Sequence, residues 1–151
     1  MVRFLFGGIR QIECSRLRPV QKLKVEDQVM SFLTAGNQVR GQIVTSWSMR
    51  AASDFFLTVH GSKGTLALGW KASFVQRNGE DPVHIFNECA MDAAYRRMMS
   101  EFRDQIQQRA DPWMTEEDSL AVSATIDAAY RSLTSGRAVT VENFERKTVA
   151  A

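Results

Sequence analysis

Apolar and polar residues alternate with a period of two through the first half of the chain, which is the signal of β-strands. The predicted strands cover residues 9–17, 24–33, 39–50, 55–60, 65–70 and 74–77. Short polar turns at 35–38, 61–64 and 78–79 join neighbouring strands. Because parallel pairs need long crossovers, these short turns predict an antiparallel meander.

After Pro82 the apolar period becomes helical. The first helix carries its apolar row at Met91, Ala94, Tyr95, Met98, Met99, Phe102 and Ile106, and it ends before Pro112. Thr115 is a good N-cap for a second helix, and Gly136 is its natural stop. The apolar stripe predicted for this helix consists of Val122, Ile126, Ala129, Tyr130 and Leu133. Residues 138–141 predict a short final strand.

Strands first and helices later indicate an α+β fold. We expect a single domain over residues 1–142 and a flexible tail over 143–151. Its mostly antiparallel sheet is expected to be open-faced, with two helices packed on one face. The other face, with groups such as Phe32, Val44 and Phe56 or their neighbours across the pleat, must then meet another subunit or a further domain.

Composition and charge narrow the class of partner. The chain has 151 residues, 44% of them hydrophobic, which allows one sizeable core. Its net charge is +2 without a cluster of basic residues, which argues against nucleic acid and anionic membranes as partners. Cys14 and Cys89 belong to no CxxC pair, and no stretch has the length of a membrane span or a signal peptide. We therefore expect a soluble, cytoplasmic protein with reduced cysteines.

No complete catalytic or cofactor motif is present in the sequence. A dinucleotide site needs a glycine-rich turn between a strand and a helix, whereas Gly7-Gly8 precede a strand and Gly61 and Gly64 belong to a hairpin. His60 and His84 are interpreted as a hairpin cap and a solvated loop residue rather than acid/base groups. The acidic residues 116–118 are interpreted as a helix cap rather than a metal site. The chain by itself is thus predicted to carry no catalytic, metal or cofactor site.

The best candidate for ligand contact lies near the end of the third predicted strand. Trp47, Ser48 and Arg50 place an aromatic platform beside hydroxyl and guanidinium donors, which suits a sugar or a carboxylate. The alternative is ordinary sheet packing beside a solvated arginine.

Several segments, taken in order, carry a resemblance to a known family. They are Phe4-Leu5-Phe6-Gly7-Gly8-Ile9, Val25-Glu26-Asp27, Gly61-Ser62-Lys63-Gly64-Thr65-Leu66, Tyr95 through Gln107, Pro112 to Glu117-Asp118, Ala128-Ala129-Tyr130, Ser135-Gly136-Arg137 and Val139. From about Phe4 to Val141 the chain resembles the C-terminal domain of the Gfo/Idh/MocA dehydrogenases, such as glucose–fructose oxidoreductase and inositol dehydrogenase.

The resemblance implies the substrate-side and oligomerisation domain of an NAD(P)-dependent sugar or polyol oxidoreductase, with a homo-oligomer formed through the open sheet face. In that family an N-terminal Rossmann half binds NAD or NADP and carries a catalytic Glu-Lys-Pro lysine and an Asp-x-Gly-x-His histidine. Met1 corresponds to a position inside the following helix, so neither residue has a counterpart here. The alternative is a free-standing, non-catalytic sheet domain that dimerises or binds a small ligand.

Overall fold

The computed structural model describes residues 1–50, 53–86, 90–112 and 114–142. Its helices are α1 (Val2–Phe6), α2 (Met91–Ile106) and α3 (Glu116–Ser135). Its strands are β1 (Ile9–Arg16), β2 (Gln28–Ala35), β3 (Arg40–Ser46), β4 (Phe55–Gly61), β5 (Gly64–Gly69), β6 (Ser73–Arg77), β7 (Val83–Phe86) and β8 (Val139–Thr140). The α+β class predicted from the sequence is confirmed.

The strands form two antiparallel four-stranded sheets, whereas the sequence predicted one sheet. The first has the order β3-β2-β1-β8 and the second the order β4-β5-β6-β7. The chain correspondingly divides into two compact units, one made of residues 1–49 with 113–151 and one of residues 50–112. The single domain expected over 1–142 stays a prediction, and the expected tail at 143–151 lies outside the described residues.

In the first unit, α3 packs on one face of the sheet. The buried core consists of Ile12, Cys14, Leu33, Ala35, Ala124, Ala128 and Val141. The helix side of this contact is built from small residues, since Ala124, Ala128 and Ser132 are the buried residues of α3. Small side chains let a helix approach a sheet closely, and the buried positions of α3 lie between residues 124 and 132. From the predicted stripe, Ala129 and Leu133 pack against this core, whereas Val122, Ile126 and Tyr130 are exposed.

Both ends of α3 match the sequence prediction. The Thr115 hydroxyl accepts the Asp118 N–H at 3.3 Å, and the Asp118 carboxylate accepts the Thr115 N–H at 2.9 Å, which completes a capping box. At the other end Gly136 adopts the left-handed conformation, with φ of 65°, and donates its N–H to the Ser132 carbonyl. The interpretation of the acidic turn as a helix cap is therefore confirmed for Asp118.

Ser132 replaces a missing strand neighbour inside the first unit. β8 pairs only with Gln11 and Ile12, so the Cys14 N–H lies beyond its reach. That N–H donates instead to the fully buried Ser132 hydroxyl at 2.8 Å, and the hydroxyl donates to the Arg137 carbonyl at 2.7 Å. One side chain thus links β1, α3 and the chain that leads into β8.

In the second unit, the strands form the predicted meander. The turn at Ser62-Lys63 joins β4 to β5, with His60 paired to Thr65. Gly64 has a φ of 150°, and a Cβ added there would lie 2.1 Å from the Gln76 carbonyl oxygen, so only glycine fits. β7 was not predicted. His84 belongs to this strand and pairs with Phe74, so its assignment to a loop was wrong.

Helix α2 has the predicted bounds. No residue of α2 is buried, and its apolar row, including Tyr95, Met99 and Phe102, is exposed. Of the two helices expected on one sheet face, α3 packs on the sheet of the first unit, and α2 belongs to the second unit. Within the described ranges, no helix combines the length and the apolar content needed to cross a membrane.

Candidate functional site

A tight corner follows the last residue of β3. The Ser46 hydroxyl accepts the N–H groups of Ser48 and Met49 at 3.0 and 2.7 Å, which turns the chain directly after the strand. Trp47 lies at the apex of this corner, and 80% of its surface is exposed. The exposed indole is thus held on a turn directly after the strand, and its role as a platform for a ligand stays a prediction.

A buried carboxylate supports the corner from behind. Asp27 is only 3% exposed, and its Oδ2 accepts the backbone N–H groups of Val20 and Gln21 at 2.9 and 3.0 Å. The same oxygen accepts the Ser48 hydroxyl at 3.1 Å. The Asp27 carbonyl accepts the Trp47 N–H at 2.9 Å, which extends the β2–β3 ladder by one residue. Buried charges of this kind persist only where donors surround them.

These donors also set the ionisation of Asp27. The N–H groups of Gln21 and Val20, followed by the Ser48 hydroxyl, hold the pKa of Asp27 below its ordinary value. The contribution to stability is therefore present above the ordinary pKa, and it is lost as the pH falls through the lowered one. The corner is thus built with its carboxylate charged at neutral pH.

The three residues predicted to face a ligand differ in their surroundings. The Ser48 hydroxyl is engaged within the protein, because it donates to Asp27 and accepts the Gln21 side-chain amide at 3.0 Å. Trp47 projects outward. Arg50 is exposed and begins the second unit, whereas Trp47 and Ser48 belong to the first. The structure thus brings two of the three residues together at one corner.

The side chains of His60 and Cys14 each lie close to a hydroxyl group of a neighbouring strand. His60 is exposed, and its Nδ1 lies 3.1 Å from the Thr65 hydroxyl on the paired strand. Cys14 is buried, with its Sγ 3.2 Å from the Ser31 hydroxyl. Cys89 lies outside the described residues. Across the described part of the chain, His, Cys, Asp and Glu side chains nowhere gather in threes that could hold a metal ion.

The face of the first sheet opposite α3, here called the open face, exposes apolar groups. Met30 pairs with Val44, and Phe32 lies two residues along the same strand, so the three side chains share this face. Phe32 and Val44 are 51% and 42% exposed. The open face predicted from the sequence is thus present in the first unit. Phe56, which was expected on it, belongs to the second unit, where its ring lies 4.8 Å from that of Trp70.

The start of the chain lies against the start of α3. Arg3 forms an ion pair with Asp118, and Val2 and Phe6 pack against the core of the first unit. The Arg3 guanidinium is the largest cause that lowers the pKa of Asp118 from 3.8 to about 2, followed by the Thr115 N–H and hydroxyl. On the outer side of α1, Phe4 and Leu5 remain exposed.

Sequence reasoning missed Asp27 and Gln21 as parts of the corner. Val25-Glu26-Asp27 carried a family resemblance but was assigned to a strand, whereas β2 begins only at Gln28. An acidic residue next to the start of a strand was the one available signal. Its donors are six, seven and twenty-one residues away, so only the folded chain brings them together.

The family model and the solved structures that match this chain are all of oxidoreductases. Residues 1–141 match the family model GFO_IDH_MocA_C, described as the C-terminal alpha/beta domain of an oxidoreductase family. No curated protein matches the chain. Similar solved structures include an oxidoreductase from Agrobacterium radiobacter in complex with NAD⁺, L-tartaric acid and magnesium, with 19% identity and a TM-score of 0.76. That alignment covers 93% of this chain and 45% of the other.

Two further structures show the same fold relation. An NAD binding oxidoreductase from Klebsiella pneumoniae is 20% identical with a TM-score of 0.70, over 95% of this chain and 48% of that one. Levoglucosan dehydrogenase in complex with NADH and levoglucosan is 14% identical with a TM-score of 0.77, over 95% of this chain and 48% of that one. The chain therefore spans about half the length of the solved structures that it resembles.

Proposed function

Because the chain belongs to the Gfo/Idh/MocA oxidoreductase family, as its C-terminal alpha/beta domain, we propose that it forms the substrate-side and oligomerisation part of an NAD(P)-dependent sugar or polyol oxidoreductase. The observation that carries this proposal is the family match over residues 1–141, nearly the whole chain. The nicotinamide cofactor, NAD or NADP, belongs to a second, dinucleotide-binding part. The free, buried Cys14 is consistent with a reducing compartment, and we place the protein in the cytoplasm.

Four glycines of this chain differ in their surroundings from those that bind a nicotinamide dinucleotide. Binding of the pyrophosphate uses a glycine-rich turn at the N-terminus of a helix that follows a strand. Gly7 and Gly8 lie between α1 and β1, and Gly61 and Gly64 flank a hairpin turn, so these glycines do not lead from a strand into a helix. We therefore assign no chemical step to this chain.

The residues proposed to form its share of the substrate wall are Trp47, Ser48 and Arg50. The exposed indole offers an apolar platform for the C–H face of a sugar ring, and the Arg50 guanidinium offers donors to hydroxyl or carboxylate oxygens. Ser48 anchors the corner on which the indole is held. The ligands held by the levoglucosan and tartaric acid complexes are of this polyhydroxylated kind.

A direct test is a dehydrogenase assay on the purified chain. With NAD⁺ or NADP⁺ and a panel of polyols that includes myo-inositol, we expect no production of reduced nicotinamide. Addition of a dinucleotide-binding part encoded next to this chain should restore turnover, and Trp47→Ala should then raise KM more than it lowers kcat. Turnover by the 151 residues alone would overturn the proposal.

Oligomerisation is proposed to use the open face. Phe32→Lys places a charge among exposed apolar side chains and should shift the chain from oligomer to monomer in analytical ultracentrifugation. Ser123→Lys, on the exposed surface of α3, is the matched control and should leave the sedimentation unchanged. A wild-type chain that sediments as a monomer at micromolar concentration would contradict the oligomerisation role. Because the free-standing alternative also predicts a dimer, the dehydrogenase assay with an added dinucleotide-binding part, rather than sedimentation, separates the two proposals.

A further inference from the structure

We infer that Asp27 is a positioning residue for the proposed substrate wall, because it fixes the Trp47 indole on its corner and ties the segment 17–26 to that corner. This inference rests on the proposed function for the role of Trp47. The positional claim itself depends only on contacts within the first unit.

Asp27 accepts hydrogen bonds from both the preceding segment and the corner. Through Oδ2, Asp27 receives two backbone N–H groups from the preceding segment and one hydroxyl from the corner. Through its carbonyl it receives the Trp47 N–H. Hydrogen bonds to an ionised carboxylate are shorter and stronger than those between neutral groups, so this residue joins the two segments more firmly than a backbone ladder alone.

Further side-chain hydrogen bonds join the segment 17–26 to the corner and to β2. The Gln21 side-chain amide donates to the same Ser48 hydroxyl that donates to Asp27, so the two segments are also joined side chain to side chain. The Gln28 side-chain amide, next along β2, donates to the Arg18 carbonyl at 2.9 Å. Both neighbours of Trp47 are therefore fixed, since Ser46 caps the turn and Ser48 is held by Asp27.

Loss of these hydrogen bonds would change the position of the Trp47 side chain. The Trp47 side chain is largely exposed, so its position depends on the corner rather than on packing around the ring. An aromatic platform binds well when it is held in the bound geometry before the ligand arrives, because ordering it later costs affinity. Asp27 thus acts on a ligand through Trp47 and does not touch it.

The test uses NMR spectroscopy of the 151-residue chain, with the Trp47 indole N–H signal assigned by Trp47→Phe. In Asp27→Asn, an amide group can no longer accept three donors at one charged oxygen. We expect the Trp47 indole signal to move and the Val20 and Gln21 amides to exchange roughly ten- to hundredfold faster. Ser48→Ala should move the indole signal less, and Ser48→Thr, which keeps the hydroxyl, should restore it. Asp127→Asn, at an exposed carboxylate on α3, is the matched control and should change neither.

The outcomes separate the two claims. An unmoved Trp47 signal in Asp27→Asn, with the amides of Val20 and Gln21 released, would overturn the positioning role and leave Asp27 as a loop anchor. Should Asp27→Asn unfold the first unit, Ser48→Ala and Ser48→Thr decide the question by the same signal. A titration with myo-inositol, read at the Trp47 signal of the wild type, tests the wall itself. No response there would count against the proposed substrate wall, and the spectra without polyol would still judge Asp27.

Discussion

The two units contain similar antiparallel sheets but differ in what stabilises them. In the first unit a helix lies on the sheet, and large side chains such as Ile12 and Leu33 are buried against it. Among the described residues of the second unit, the buried ones are small, namely Ala67, Gly69 and Ser73, and α2 buries no side chain. The first unit therefore depends on packing and a few buried hydrogen bonds, and the second depends on strand pairing and turn geometry. Equal strand patterns in a sequence do not indicate equal cores.

The largest expected difference comes from truncation in the first core. Leu33 is 4% exposed, so Leu33→Ala removes buried methyl groups and leaves a cavity, at a cost of about 2–5 kcal/mol in the free energy of unfolding. Leu57→Ala in β4, where the side chain is only half-buried, should cost about 1 kcal/mol. Urea denaturation, followed by NMR signals of each unit, measures both. Equal losses would contradict the contrast between the units.

The second unit should be most sensitive at its hairpin. A Cβ at position 64 would collide with the Gln76 backbone, so Gly64→Ala should cost about 3 kcal/mol, the upper end for backbone strain, and disrupt the β5–β6 pairing. Gly79 also has a positive φ, of 79°, but a Cβ added there would lie in open space, so Gly79→Ala should cost about 1 kcal/mol. Hydrogen exchange should show faster exchange in β5 and β6 and unchanged protection in β1. Loss of protection in both units would show that they fold as one.

A buried hydrogen-bonding group in the first unit should have a smaller effect. Ser132→Ala leaves the Cys14 N–H without an acceptor and should lower the free energy of unfolding by about 2 kcal/mol. Ser123→Ala, on the exposed side of the same helix, is the matched control and should change it by less than about 0.5 kcal/mol. If thermal unfolding of the two variants coincides, the Ser132 hydroxyl does not link β1 to α3 as described.

The smallest expected effect appears in acid. Because the folded pKa of Asp118 is lowered from 3.8 to about 2, its contribution to stability is present above 3.8 and is lost as the pH falls toward 2. Arg3→Gln removes the largest cause of the lowering, so acid unfolding of the first unit should begin at a higher pH. Arg97→Gln, in an exposed pair on α2, should leave the acid transition of the first unit unchanged. Identical acid transitions for the wild type and Arg3→Gln would show that the Arg3–Asp118 ion pair does not contribute to stability.

The fold class and most elements could be predicted because period-two and helical patterns are local. Strand β7 could not be predicted, because it has only four residues and an alternation that short cannot be distinguished from a loop. The buried face of α3 was only partly predicted. A search for large apolar residues favours Val122 and Ile126, whereas close packing on a sheet selected Ala124 and Ala128. The division into two sheets was not predictable either, because a break between strands has the same composition as any other turn.

The residues of the corner could be named from the sequence as candidates, but the contacts that hold them could not. Trp47 and Ser48 lie near the end of the strand predicted over 39–50, whereas β3 ends at Ser46, and their role in ligand contact stays a prediction. The role of Asp27 depends on donors from a separate loop and from the corner that follows β3, which no local pattern contains. Contacts between residues that lie far apart in the sequence are therefore harder to predict than the ends of strands.

The most direct test of the central claim is the DNA sequence upstream of the Met1 codon. If this chain is the substrate-side part of a dehydrogenase, we expect an in-frame region there that encodes a glycine-rich turn, a Glu-Lys-Pro motif and an Asp-x-Gly-x-His motif. An in-frame stop codon upstream, followed by a ribosome-binding site directly before the Met1 codon, would contradict it. The open sheet face of an independent domain would then be the place to look for function.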